Sequence, residues 1–255
     1  GDKKLIGVIK GDAYGLGINT ISKYLEDKVD ILAVGNIEES RQIDVKTDIL
    51  LLSPLCTIED FKDDRENLIF SIDNEEIIKE LPQNTKKRVH IYVDTGMNRM
   101  GIKINRLDSV IQELKSNHPN IEIEGLYTHL HKCKDVRYTV SQVGRFKKVA
   151  EKYKEEIPFI HCLASSGILD NDIRKAADFT TAARGGNIIY GYAGYNRGIK
   201  KTFTYYAVPV NVCKVAKGEQ VGYGGLFTAK SDMTVGVLAC GNVHGMGITR
   251  ETKNN

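Results

Sequence analysis

Eight short, almost continuous apolar runs recur between residues 4 and 190, separated by segments with helical spacing. They are 4–10 "KLIGVIK", 30–35 "DILAVG", 48–53 "DILLLS", 68–72 "LIFSI", 89–94 "VHIYVD", 121–128 "IEIEGLYT", 158–163 "PFIHCL" and 187–190 "NIIY". Continuous rather than alternating runs suit strands covered on both faces, as in a parallel sheet. Between them, Ile104, Leu107, Val110, Ile111 and Leu114 fall at spacings of three and four, as do Val140, Val143, Phe146, Val149, Ala150 and Tyr153. These stretches predict amphipathic helices. Eight strands alternating with helices predict an α/β chain built as a (β/α)8 TIM-type barrel, an open doubly wound sheet being the competing arrangement. After about residue 200 the pattern changes. The stretches 203–216, 219–229 and 232–243 carry β-branched and aromatic residues with glycine turns and no helical period. They predict a mainly antiparallel all-β domain. The expected division is therefore a barrel over 1–198 and the start of an incomplete C-terminal β domain over 199–255.

Composition narrows the function classes. A formal charge of +3 on a 255-residue chain, with no block of like charge, gives no case for nucleic acid. No apolar run reaches the roughly 18 residues of a membrane helix. Cys56, Cys133, Cys162, Cys213 and Cys240 form no CxxC pair or even framework, so a reducing, cytoplasmic setting is expected and the thiols read as packing residues. The histidines show no HxH or HExxH spacing that would suggest a metal site.

Polar residues gather where the predicted strands end. Lys10 closes the first run and leads into "GDAYGLG"; Asp94, Asn98 and Arg99 follow the fifth; His129 and His131 end the sixth. His161 lies in the seventh, with Ser165 and Ser166 just beyond, and Arg184, Gly185 and Gly186 surround the eighth. In a barrel the carboxyl ends of all strands meet at one mouth, which is where such enzymes react their substrates. A lysine in an apolar pocket yields a free amine that condenses with an aldehyde. The backbone of "RGGN", with serine and tyrosine hydroxyls, suits a phosphate. Pyridoxal phosphate meets both requirements. "GDAYGLG" lacks GK[ST] and does not fit GxGxxG, so it does not read as a nucleotide loop. His161 reads equally well as a hydrogen-bonded core histidine, and His131 as a solvated side chain at the mouth.

At these residues the chain resembles the alanine racemase family. "VIKGDAYGLG" is similar to its pyridoxal-lysine signature, and "VDTGMNRMG" to its arginine segment. "YTHL", "HCLASS", "RGGNIIYG" and "KGEQVGYGGLFTA" follow in the family's order. The resemblance implies pyridoxal-phosphate-dependent racemisation of a small amino acid, L-alanine to D-alanine, by two bases on opposite faces. Serine as substrate, or a non-catalytic pyridoxal-phosphate-binding barrel, are the alternatives. It implies Lys10 as cofactor lysine and one acid/base, and Tyr223 as the other, supplied by the partner subunit of a homodimer with shared active sites. It implies Arg184 against the pyridine nitrogen, and Tyr14, Ser165, Gly186 and Asn187 at the phosphate. His129 is expected near the ring, and Arg99 near the phenolic oxygen and the substrate carboxylate. The chain departs from the family pattern in carrying Tyr92 where a lysine is frequent seven residues before the arginine, and Ala164 where asparagine is common. "GNVHGMG" at 241–247 replaces a segment that usually holds a tyrosine and an aspartate.

Overall fold

The computed structural model describes residues 3–52, 57–193 and 197–244. Within residues 1–202, which form one compact unit, eight parallel strands close on themselves. They are β1 (Lys4–Val8), β2 (Ile31–Val34), β3 (Asp48–Leu51), β4 (Leu68–Ile72), β5 (Arg88–Asp94), β7 (Glu122–Tyr127), β8 (Phe159–His161) and β9 (Ala182–Gly185). Neighbours in sequence pair in parallel around the ring, and β9 returns to β1 with Ile6 opposite Arg184. A short β6 (Ile102–Lys103), which the sequence pattern does not announce, pairs with the end of β5.

Burial explains the continuous apolar runs: every residue of β2 and β4 is buried. One face packs on the surrounding helices, joining Leu32, Val34, Phe70 and Ile72 with Leu107, Val110, Val143 and Phe146 in a single core. The helix Leu107–Asn117 turns its buried Leu107, Val110, Ile111 and Leu114 to that core, and Val136–Ala150 does so through Val143, Phe146 and Val149. The other face forms a smaller cluster of strand residues, Ile6, Val8, Ile31, Ala33, Leu50, Ile69 and Ala182. That cluster contains no helical residue, so it fills the barrel interior.

The eighth strand differs from expectation. It is Ala182–Gly185, not 187–190, which turn away beyond it. The apolar "NIIY" looks more strand-like than "AARG", yet Arg184 sits inside the strand because the barrel interior supplies its partners.

Residues 203–255 form a second compact unit. There β10 (Pro209–Val215) pairs antiparallel with β13 (Met233–Leu238), and β11 (Gln220–Val221) pairs with β12 (Phe227–Thr228). Cys56 and the 245–247 part of "GNVHGMG" lie outside the described residues. The four described cysteines are free; Cys162 is buried, as a packing residue should be, whereas Cys213 is exposed. Among the described residues no helix is long and apolar enough to cross a membrane.

Candidate active site

The carboxyl ends of the barrel strands surround a cavity of about 290 Å³. Lys10 and Tyr14 enter it from the segment after β1, Tyr92 and Arg99 from β5 and its loop, and Tyr127 and His129 from β7 and just beyond. Ser165 comes from the segment after β8, and Arg184, Gly186 and Asn187 from β9 and its turn. Lys10, Tyr14, Arg99, His129, Ser165, Arg184, Gly186 and Asn187 are thus brought together, although they span 178 positions of sequence (187 less 10, counted inclusively). Tyr223 is not among them; it lies in the second unit and is fully exposed. Lys10, Arg99 and Arg184 line the cavity and, among the described residues, no carboxylate does, so the site attracts an anion.

Lys10 stands between a strand and an unusual turn. Gly11, Asp12, Ala13 and Tyr14 all have positive φ, between 53° and 65°, making one left-handed turn. Left-handed backbone disfavours L-residues by roughly 1–2 kcal/mol each, so three successive non-glycine residues there must be held by their surroundings. Several bonds hold them. Ala13 N donates to Ile9 O at 2.8 Å, and Gly17 N to Asp12 O at 3.0 Å. Asp12 Oδ1 accepts from Ile18 N at 2.8 Å, at the start of the helix Ile18–Leu25. Glu39, which the sequence pattern does not single out, accepts from Gly11 N through one oxygen and from Gly35 N through the other, both at 2.7 Å. The turns after β1 and β2 are thereby tied together behind Lys10. The lysine is exposed, not enclosed in an apolar pocket as the sequence suggests, and its Nζ makes no hydrogen bond or ion pair among the described residues.

Opposite it is a cradle of donors. Ser165 Oγ lies 3.1 Å from Ile188 N and 3.4 Å from Gly186 N, both of which donate to it. A Cβ on Gly186 would fall 2.7 Å from Tyr14 Oη; only glycine lets that hydroxyl come so close. Tyr14 packs on Tyr190 with ring centroids 4.8 Å apart, and Tyr190 is anchored through its hydroxyl to Val8 O at 2.9 Å. Burial raises the Tyr14 pKa, keeping the group a neutral donor.

Arg184 is 4% exposed and spends its donors inside the barrel. Nη1 donates to His161 Nδ1 at 2.7 Å, and Nη2 to Thr128 O at 2.9 Å and His129 Nδ1 at 3.2 Å. The guanidinium also lies 5.4 Å from the Tyr127 ring, which stacks on both His161 and Tyr92 at 4.9 and 4.8 Å. Burial and the nearby Arg184, Arg99 and Lys10 depress the His129 pKa to about 3, and burial with Arg184 and His90 holds His161 well below its ordinary value. Both imidazoles are therefore neutral acceptors toward the arginine. His161 is wholly buried and hydrogen-bonded to Arg184, the core-histidine reading that the sequence left open. Tyr127, Thr128 and His90 were missed; only their places in predicted strands hinted at a shared interior.

Arg99 is carried on a loop held by Asp94. The Oδ1 of Asp94 accepts from Gly96 N and Asn98 N, each at 3.0 Å, and Oδ2 from Lys103 Nζ at 2.5 Å. Asn98 takes a positive φ of 53° within this loop. Tyr92 is 2% exposed, and its hydroxyl faces Met97 Sδ at 3.8 Å. Burial raises the Tyr92 pKa, with Arg99 and Arg184 opposing.

Comparison with known proteins places this geometry. The family model for the alanine racemase N-terminal domain matches residues 1–194, and that for the alanine racemase C-terminal domain matches 202–255. "Alanine racemase 2" of Clostridium acetobutylicum is 30% identical over 98% of this chain and 67% of its own length. The solved alanine racemase of Clostridium difficile 630 superimposes with a TM-score of 0.74 at 28% identity, over 96% of this chain and 68% of that one. The biosynthetic alanine racemase of Pseudomonas aeruginosa shares the fold, with a TM-score of 0.81 at 23% identity over 94% of this chain and 69% of that one. With both its units matched, and with the cationic cavity at the barrel mouth, the chain belongs to the alanine racemase family.

Proposed function

We propose that this protein is an isomerase that interconverts L- and D-alanine with pyridoxal 5'-phosphate as cofactor, acting in the cytoplasm as a homodimer. The observation that carries the reading is the convergence of a lysine, a buried arginine and a hydroxyl–amide cradle on one cavity that has no carboxylate among the described residues. The donor set fits the cofactor. A phosphate needs several N–H and O–H donors, and Tyr14 Oη approaches a glycine that leaves room for it beside Ser165 and the Gly186 and Ile188 amides. An aldehyde needs an amine, and Lys10 Nζ is uncommitted. When bound, pyridoxal phosphate supplies an aldehyde to hold the substrate's amino group and a conjugated ring to accept electrons as the α-proton leaves.

The chain's own residues do the rest. Lys10 Nζ takes or returns the proton at the substrate Cα on one face, and the Tyr223 hydroxyl of a second copy does so on the other. Two bases on opposite faces invert the centre, because the proton removed by one is replaced by the other. Tyr14, Ser165, Gly186 and Asn187 would hold the phosphate, His129 would flank the ring, and Arg99 would receive the substrate carboxylate. Arg184 would face the pyridine nitrogen as a donor that does not give up its proton, which would keep that nitrogen unprotonated and restrain transamination. The free state of the four described cysteines supports the reducing compartment. Polarimetry of the protein supplied with pyridoxal phosphate tests the reading. L-alanine is expected to racemise faster than L-serine, and no loss of optical rotation with either amino acid would overturn it.

A further inference from the structure

Below the cavity the barrel interior is not apolar throughout. A file of polar side chains descends from Arg184, and the direction of its hydrogen bonds follows from chemistry. A guanidinium has only donors, so His161 Nδ1 accepts from Arg184 Nη1 and the His161 proton resides on Nε2. That atom lies 3.0 Å from His90 Nδ1, which must accept, so the His90 proton resides on its own Nε2. His90 Nε2 in turn faces Glu124 Oε2 at 3.9 Å. These are two of the few buried polar atoms without a hydrogen-bond partner among the described residues. The other oxygen of Glu124 accepts from Arg88 Nη2 at 2.8 Å, and Arg88 grips Asp48 with two bonds of 2.8 and 2.6 Å. A fixed donor thus heads the file, and the Glu124 carboxyl ends it, its pKa raised by burial with Arg88 opposing.

The backbone is shaped to admit these groups. Pairing of β5 with β7 slips between Val89↔Ile123 and His90↔Gly125, leaving Glu124 as the extra residue of a bulge. Bulges re-aim a side chain, and here the glutamate is 6% exposed beside His90. The next residue is glycine for a related reason: a Cβ on Gly125 would fall 2.4 Å from His90 Cγ. Both rings are wholly buried, and burial with Arg88 and Arg184 holds His90 near 3, hence neutral.

We propose that His90 and Glu124 are positioning residues for Arg184, which lock His161 in its Nε2–H tautomer so that Nδ1 always receives the guanidinium. The inference rests on the racemase reading only for its kinetic arm. Nitrogen-15 NMR of the histidine-labelled holoenzyme reads the tautomers directly. Neutral Nε2–H rings at both positions are expected, and an Nδ1–H or doubly protonated ring at either would overturn the proposal. His90→Leu removes the acceptor, whereas His90→Asn keeps an oxygen near the place of Nδ1. In His90→Leu, kcat should fall about tenfold with KM changed less than about twofold, and the His161 spectrum should show mixed tautomers. His90→Asn should restore most of both. Equal losses in the two variants with an unchanged His161 tautomer would mean that His90 only fills space. Glu124→Gln, nearly isosteric, should loosen the His90 tautomer; an unchanged His90 spectrum would remove Glu124 from the file. A protein that shows the two Nε2–H rings but does not racemise alanine would lose the functional reading and keep the tautomer file.

Discussion

Lys10 and Arg184 are cations in contrasting settings, and each setting predicts a different failure. Lys10 reaches the cavity exposed and without partners among the described residues, so removing its amine leaves the fold intact. Lys10→Ala should keep the native melting temperature but lose the visible absorbance of the protein–pyridoxal adduct and essentially all racemisation. Survival of that absorbance in the variant would disprove the assignment. Arg184 is buried, and three acceptors depend on it: His161 Nδ1, Thr128 O and His129 Nδ1. Lysine keeps the charge but cannot form the fork. Each buried acceptor left unpaired costs about 1–3 kcal/mol. Arg184→Lys should therefore lower kcat by about ten- to a hundredfold and raise the fraction of turnovers ending in transamination, measured as pyruvate. Wild-type kcat with no added pyruvate would count against both the fork and the role. The sequence showed that these residues meet at one mouth, because strand ends in a barrel must converge. It could not show that Arg184 is buried among histidines, since that depends on which interior side chains lie level with one another.

Among the elements, those that carry the site are held by carboxylates rather than by apolar packing. Glu39 binds the amides of Gly11 and Gly35 through its two oxygens. Glu39→Ala should destabilise the protein by about 1–3 kcal/mol, seen in urea unfolding, and weaken cofactor retention on dialysis. Stability and retention both at wild-type levels would mean that the left-handed turn holds Lys10 unaided. Asp94 plays the matching part for the Arg99 loop. Burial pushes its carboxyl up, but Lys103 and the amides of Asn98 and Gly96 outweigh that, leaving the pKa below its ordinary value. A carboxyl lowered in the folded state contributes stability that is full above the unfolded pKa of about 3.9 and fades as pH falls through the folded one. Asp94→Asn should lower Tm at pH 7, and the gap from wild type should narrow as the pH is taken below about 4. A gap as wide at pH 3 as at pH 7 would rule out that linkage. Strand positions were largely legible because two-sided burial leaves continuous apolar runs. The eighth was misplaced because a buried arginine interrupts its run. The left-handed turn after Lys10 was legible only as glycine-rich, since Asp12, Ala13 and Tyr14 carry no local sign of positive φ.

Over the whole molecule, the proposed catalytic pair is divided between two units. Lys10 lies at the barrel mouth, and Tyr223 lies in the second unit on the short turn Tyr223–Gly225, fully exposed. That unit also leaves Val208, Val210 and Val212 at 80%, 66% and 59% exposure. In the proposed homodimer a second chain covers this apolar surface. A two-fold dimer makes two equivalent composite sites, each with Lys10 from one copy and Tyr223 from the other. Lys10→Ala and Tyr223→Phe homodimers should then each be nearly inactive, because every site lacks one base. Dissociated, mixed in equal amounts and reassociated at random, about half the dimers become hybrids. Each hybrid pairs one doubly altered site with one intact site, so activity should return to about a quarter of wild type. Recovery to that level, with hybrids counted by native mass spectrometry, would place the two bases on different copies. Hybrids present in the expected number but inactive would place Lys10 and Tyr223 in the same site of a single chain.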